Sequence, residues 1–255
     1  MKFQLELARN GNKTVVFWEA GQYDGNPPVK EIVINSRIRN ICPERAAVSC
    51  ALLFFDYICG SFSFDKGVTH EVAIGLQRLF MPRFMIVDNI HFEPRKIPSG
   101  CRSALISDDS YRSLATQSIA KSELLFGIPS DQQFISSISS SEVRLDANLR
   151  MLYKQNSAAN IIRLLGLAIL YAEDFVIDNI VIPISSKELE SYINVQYLVD
   201  LLQLINITLQ FPLDDLSDAE IRAHATNQDH VTEYYYHTRK NNPSIKHWNE
   251  FPEHY

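Results

Sequence analysis

No apolar run in this 255-residue chain reaches the ~20 residues that a membrane-spanning helix needs. The amino-terminal MKFQLELARNGNK also has no continuous apolar core of the kind that directs secretion. Both absences point to a soluble chain of the cytoplasm, with no membrane partner. Glycine is sparse, at 9 residues, and forms neither a Walker A sequence nor a G-x-G-x-x-G fingerprint. G-x-S-x-G and H-E-x-x-H are missing too, so the usual signatures of P-loop NTPases, dinucleotide enzymes, α/β-hydrolases and zinc proteases are all absent. The four cysteines, at 42, 50, 59 and 101, make no Cys-x-x-Cys pair and are read as free core thiols of a reducing compartment. The late histidines at 224, 230, 237, 247 and 254 match no standard zinc spacing, so no zinc is expected.

Basic residues are also in deficit, with 24 Lys and Arg against 30 Asp and Glu, a net charge of -6. They are scattered along the chain. Binding duplex nucleic acid requires neutralising several phosphates at once, so duplex is not an expected partner, although a local basic groove is compatible with the counts.

What is present is the composition of a globular protein, 46% hydrophobic and 21% charged, in a chain long enough to bury a core without staples. FQLELA at 3–8, TVVFWE at 14–19 and EIVINS at 31–36 read as strands of a small sheet, the last two separated by the turn residues GQYDGNPP. Pro43 starts a helix, apolar on nearly all sides, that runs to Gly60, and a second helix is expected over 69–80. FMIVDNIHFEP at 84–94 reads as a strand, and KIPSG at 96–100 as a connection. The expected division is therefore a small α+β module over 1–98, an α/β domain over 99–225 and a polar, aromatic segment over 226–255 that serves as a docked tail or a partner-binding surface.

The middle part alternates. SALIS at 103–107 reads as a strand, 108–127 as a helix, FISSI at 134–138 as a strand and 157–175 as a long helix. NIVIPIS at 179–185 is then a strand, 186–206 a helix and TLQFPL at 208–213 the last strand. Such alternation predicts a parallel sheet with helices on both faces. Ser185 with Glu188, and Ser217 with Glu220, form capping boxes, a purely structural role. Ligands of such sheets bind beyond the carboxyl ends of strands, where helix amino termini offer free N–H groups. Three such ends are visible: Ser107-Asp108-Asp109-Ser110, Ser185-Ser186 and Asp214-Asp215. Asp215 is a candidate magnesium ligand, although solvation or capping is the commoner role of such a pair. Asn160 and Arg163 lie near the start of a helix that should face the same pocket, although helix packing is the commoner role of such residues.

Three segments carry a resemblance: the helix NSAANIIRLLGLAILYAE at 156–173, the strand NIVIPIS after it, and FPLDDLSDAEIRAHA at 211–225. Over about residues 100–225 the chain resembles the 7-cyano-7-deazaguanine synthases and related PP-loop ATP pyrophosphatases of the adenine nucleotide alpha-hydrolase-like fold (HUP-like). The last segment is similar to their PL-x-x-L-x-K-A-E-I. That family binds ATP with a Ser-Gly-Gly-x-Asp-Ser loop, which this chain lacks, and the cysteine ligands for zinc are missing as well.

Two alignments follow from the resemblance. Ser107-Asp108-Asp109-Ser110 stands for the phosphate loop, with carboxylates in place of glycines. Alternatively, it ends the family's second strand, and the first strand and its loop are rebuilt as FMIVDNIHFEPRKIPSG. The resemblance implies a non-catalytic or partner-dependent subunit that works with a protein partner or as a homo-oligomer, in anti-phage defence or in nucleobase or protein modification. The competing expectation is an active ATP-dependent adenylating ligase with an altered loop around Ser107 and Ser110 and magnesium on Asp109 or Asp215.

Overall fold

The computed structural model describes residues 1–8, 11–108, 110–120, 122–129, 136–154 and 156–226. The Tyr-rich segment expected to dock or bind a partner lies outside these residues from 227 onward.

The first half builds a five-stranded mixed sheet. Strands β1 (Lys2–Leu7), β2 (Thr14–Glu19) and β3 (Glu31–Ile34) form an antiparallel meander. After helix α1 (Pro43–Leu53) the chain returns as β4 (Gly60–Thr69), parallel to β1, and after α2 (His70–Leu79) as β5 (Met85–His91), parallel to β4. The order is β3-β2-β1-β4-β5. Strand β4 fills the stretch between the expected end of the first helix at Gly60 and the expected start of the second at 69, and α1 itself stops at Leu53. Its signal is weak because Phe62 and Phe64 alternate inward for two steps only, and an irregularity between Ser63 and Val68 then breaks the period.

Helix α1 begins at Pro43, whose missing N–H costs nothing at a first helical position, and is buried from Glu44 to Leu53. Its two charged residues are satisfied locally. Arg45 donates to the carbonyls of Pro98 (2.8 Å) and Ile205 (3.2 Å), and Glu44 pairs with Arg95 at 3.4 Å.

The second sheet contains β6 (Arg102–Ser107), β7 (Leu124–Gly127), β8 (Ser137–Ile138), β9 (Glu142–Arg144), β10 (Ile177–Val181) and β11 (Thr208–Gln210), in the order β11-β10-β6-β7-β9-β8. All neighbours are parallel except β8, which pairs antiparallel with β9, so the sheet is mixed. Helix α3 (Tyr111–Ile119) follows β6; a 3-10 turn (Asn148–Leu152) and α4 (Ser157–Leu170) precede β10; α5 (Ser186–Glu190) and α6 (Val195–Gln203) separate β10 from β11; and a helix over 218–226 closes the described chain.

Two sequence expectations are corrected in this half. The helix expected over 108–127 stops at Ile119, and Leu124–Gly127 is instead the strand β7, whose Leu124 and Phe126 are fully buried beside β6. Four apolar residues carry no period of their own, and parallel pairing with β6 decides their conformation. The helix expected over 186–206 is two helices, because Asn194 caps a new start by accepting a bond from the Tyr197 N–H at 2.9 Å. The strand expected over 134–138 is described only from 136, where Ser137 and Ile138 form β8.

The two sheets meet through helices. α1 packs on β4 and on α4, while α4 packs on β6 and β7. α2 lies on β4 and β5 and meets α6, which covers β11. One apolar core runs through both sheets, from Phe3 and Phe62 through Leu52 and Leu165 to Ile106 and Phe126. α3 and the 218–226 helix share a separate small cluster of Ala115, Leu213, Ile221 and Ala225. Cys42 and Cys50 are buried as expected of core thiols, but Cys101 is exposed, because it stands on the connection just before β6. No helix among the described residues is long and apolar enough to cross a membrane.

Candidate functional site

In the second sheet the chain first moves from β6 outward through β7 to β9, then returns to the other side of β6 for β10 and β11. The order therefore reverses between β6 and β10, and a crevice opens at such a reversal beyond the carboxyl ends of the strands. The loop at 107–110 leaves β6 at this point. FMIVDNIHFEPRKIPSG does not: its strand, β5, belongs to the first sheet.

At the amino end of α3, Asp108, Ser110 and Ser113 bond to one another. Ser110 caps the helix by accepting from the Ser113 N–H at 3.3 Å. Asp108 Oδ1 accepts from the Ser113 hydroxyl at 2.6 Å and from the Ser110 N–H at 3.1 Å. A carboxylate thus holds the positive end of the helix dipole, where an anionic ligand would otherwise be attracted. Ser107 is buried at the end of β6, with its carbonyl oxygen so close to Gly127 that a Cβ there would lie 2.7 Å away. Asp109 lies outside the described residues.

Beside this loop, beyond the ends of β10 and β11, is a cleft of ≈ 340 Å³. Arg112 of α3, Ser185 to Glu188 around the start of α5, and Leu213, Asp214, Leu216, Asp218 and Ile221 after β11 line it. Glu188 ties its walls together. One carboxylate oxygen pairs with Arg112, and the other accepts from the Ser157 hydroxyl at 3.0 Å, joining α3, α5 and α4. Asp214 accepts from the Ser186 N–H at 2.6 Å and from its hydroxyl at 2.7 Å. The lining combines the hydroxyls of Ser185 and Ser186, the Arg112 guanidinium, Lys187 and the three carboxylates of Glu188, Asp214 and Asp218 with the apolar Leu213, Leu216 and Ile221.

Of the two expected capping boxes, Ser217 and Glu220 form the reciprocal pair, with bonds of 2.8 and 3.4 Å. Ser185 accepts from the Glu188 N–H at 3.2 Å, but the Glu188 side chain turns to Arg112 and Ser157 instead of completing the box. Glu188 and Arg112 are therefore the site residues that sequence reasoning missed. The capping spacing accounted for Glu188 fully, and nothing in the pattern marks Arg112.

Asn160 and Arg163 lie elsewhere. Arg163 is 2% exposed and pairs with Asp56, which also binds Lys154 Nζ at 2.9 Å and the Tyr192 hydroxyl. Asn160 accepts from the Lys154 N–H at 2.9 Å and returns a bond to its carbonyl at 2.8 Å. Burial alone would raise the Asp56 pKa; the bonds from Lys154 and Tyr192 and the Arg163 charge outweigh it and hold the carboxyl below its ordinary value. Burial, followed by the bond to Asp56, pushes the Tyr192 phenol up. This cluster joins the end of α1 to α4 and the α5–α6 turn. Asp215 is exposed beside the cleft, and among the described residues no group of three or more His, Cys, Asp or Glu is placed to hold a metal ion.

Compared with known proteins, the chain matches no protein-family model, no curated sequence and no solved structure.

Proposed function

We propose that the second half is a degenerate PP-loop-like, HUP-like layer with helices on both faces, and that the protein is a non-catalytic or partner-dependent binding subunit of the deazaguanine synthase type. The carrying observation is Asp108, whose carboxylate accepts from Ser110 and Ser113 at the amino end of α3. A PP-loop leaves that space to pyrophosphate, and a fixed carboxylate there repels it. The residues present do not fit ATP.

Supporting the fold assignment are the reversal between β6 and β10, the packing of α4 on β6 and β7, and the separate cluster that α3 makes with the 218–226 helix. The cleft accounts for the binding role. Its ≈ 340 Å³, with Leu213, Leu216 and Ile221 beside hydroxyls, Arg112, Lys187 and three carboxylates, suit a small, polar-edged molecule such as a modified nucleobase.

Isothermal titration tests this. ATP with magnesium should give no heat with the purified protein, whereas 7-cyano-7-deazaguanine should bind, and binding should weaken in Arg112→Ala. Micromolar ATP binding, or ATP turnover that disappears in Asp109→Ala, would overturn the proposal in favour of an adenylating ligase.

A further inference from the structure

One side of the cleft is built from the stretch after β11, which supplies Leu213, Asp214, Leu216, Asp218 and Ile221 to its lining. This stretch leaves the main core abruptly. Phe211 still packs on that core, whereas Leu213 joins Ile221, Ala225 and Ala115 of α3 in the separate small cluster. Pro212 stands between them, at the start of a turn over 212–215. Asp214 pins the turn to α5 through the Ser186 N–H at 2.6 Å and hydroxyl at 2.7 Å.

The helix over 218–226 that follows is exposed on all but one side. Only Ile221 and Ala225 of its residues are buried, and they rest on Ala115, with Ile119 and Leu216 partly covering them. Its polar bonds run along the helix. Ser217 and Glu220 cap it, Arg222 reaches Asp218 at 3.6 Å, and the Thr226 hydroxyl donates to the Arg222 carbonyl at 2.8 Å. Apolar stabilisation scales with the area removed from water, so this seat holds its helix far less firmly than the main core holds the sheets. The seat itself is fixed, because α3 packs on β6 and pairs through Arg112 with Glu188 of α5. A segment with few buried apolar contacts, joined to a rigid frame by a turn, opens at a lower free energy than that frame.

We propose that residues 216–226 are a lid, hinged at the turn over 212–215, that lifts off α3 as a unit and closes over the ligand of the cleft. Its closing over a ligand rests on the cleft being the binding site; its opening does not.

Native-state hydrogen exchange of the full chain, read residue by residue by NMR in low urea, tests the lid. After correction for intrinsic rates, the amides of 221–226 should exchange at a common rate at least about 100-fold above the slowest amides of β6 and β10, and with a weaker urea dependence. Two conservative variants separate the routes. Ile221→Val, in the seat, should speed the lid amides by about 2- to 10-fold, while Ile180→Val, in the main core, should speed β10 by a similar factor and leave the lid unchanged. Then 7-cyano-7-deazaguanine at 100 times its Kd should slow the lid amides by about 100-fold. Lid exchange that matches β6 and β10 in rate and urea dependence, or a gradient rising towards 226 as in simple end fraying, would overturn the proposal. Bound ligand that leaves the lid amides unprotected would overturn closure. Absence of any binding would refute the ligand reading of the cleft, while exchange without ligand still decides whether the lid opens.

Discussion

Replacing Asp56 with alanine should be among the most damaging single changes outside the apolar core. Arg163 is 2% exposed, and its ion-pair partner is Asp56, itself 17% exposed; Lys154, the other cation on that carboxylate, is 46% exposed and can return to solvent. Removing the carboxylate strands the Arg163 charge in the layer between α1 and α4. Breaking a buried pair from one side costs about 3–5 kcal/mol, and the partial exposure of Asp56 places this case near ~3. In a chain of this length that is a fall in Tm of about 6–12 °C.

The reverse change should be milder. Arg163→Met leaves Asp56 with Lys154 and Tyr192, and it also removes a buried Nε that has no bonding partner. The double variant should recover most of the loss, giving a coupling of about 2 kcal/mol in a double-mutant cycle read by urea denaturation. The sign of the pH dependence follows from the depressed Asp56 pKa: its contribution is complete above the unfolded value of ~3.9 and is lost as pH falls through the lower folded value. Asp56→Asn should therefore flatten the acid limb of the stability curve below about pH 4. A cost under ~1 kcal/mol for Asp56→Ala, or strict additivity in the double variant, would refute the reasoning.

Three further outcomes are expected. Gly127→Ala drives a Cβ to 2.7 Å from the Ser107 carbonyl oxygen and 3.0 Å from Arg144 Nη1, so it should cost about 1–3 kcal/mol by urea denaturation. Ser110→Ala removes the cap of α3 and should cost about 1 kcal/mol, with amide exchange over 111–119 accelerating before that of the rest of the chain. A thiol reagent should modify the exposed Cys101 first, with Cys50 inert until unfolding because burial pushes its pKa far up; mass spectrometry of the partially labelled protein reads the order.

The fold was legible wherever a segment carried its own period or its own punctuation. SALIS became the centre of the second sheet because its apolar run is bounded by polar residues, and two of the strand ends named from sequence, at Ser185-Ser186 and Asp214, line the cleft. Legibility failed where neighbours decide. Leu124–Gly127 is a strand because β6 lies alongside, and β4 is hidden by its own irregularity. In the site, Arg112 was invisible because its partner is 76 residues away in sequence. Glu188 was visible but misassigned, since a capping spacing does not reveal that the carboxylate has found a stronger partner. Arg163 takes the packing role rather than the pocket-facing one, but its partner Asp56, at the end of α1, belongs to tertiary structure alone and could not be read in advance.

Helix α4 reaches α5 at one end and the segment after β3 at the other. Ser157, its first residue, holds Glu188 in the wall of the cleft, and Tyr171, at its far end, donates to the carbonyl of Ser36 at 2.8 Å, next to β3. Fourteen residues separate these contacts, a rigid strut of about 20 Å. Burial of Ala158, Ala159, Ile161 and Ile162 keeps that first turn of α4 in the core whatever Glu188 does. The two halves consequently share one rigid element, which ties a wall of the cleft to the segment after β3.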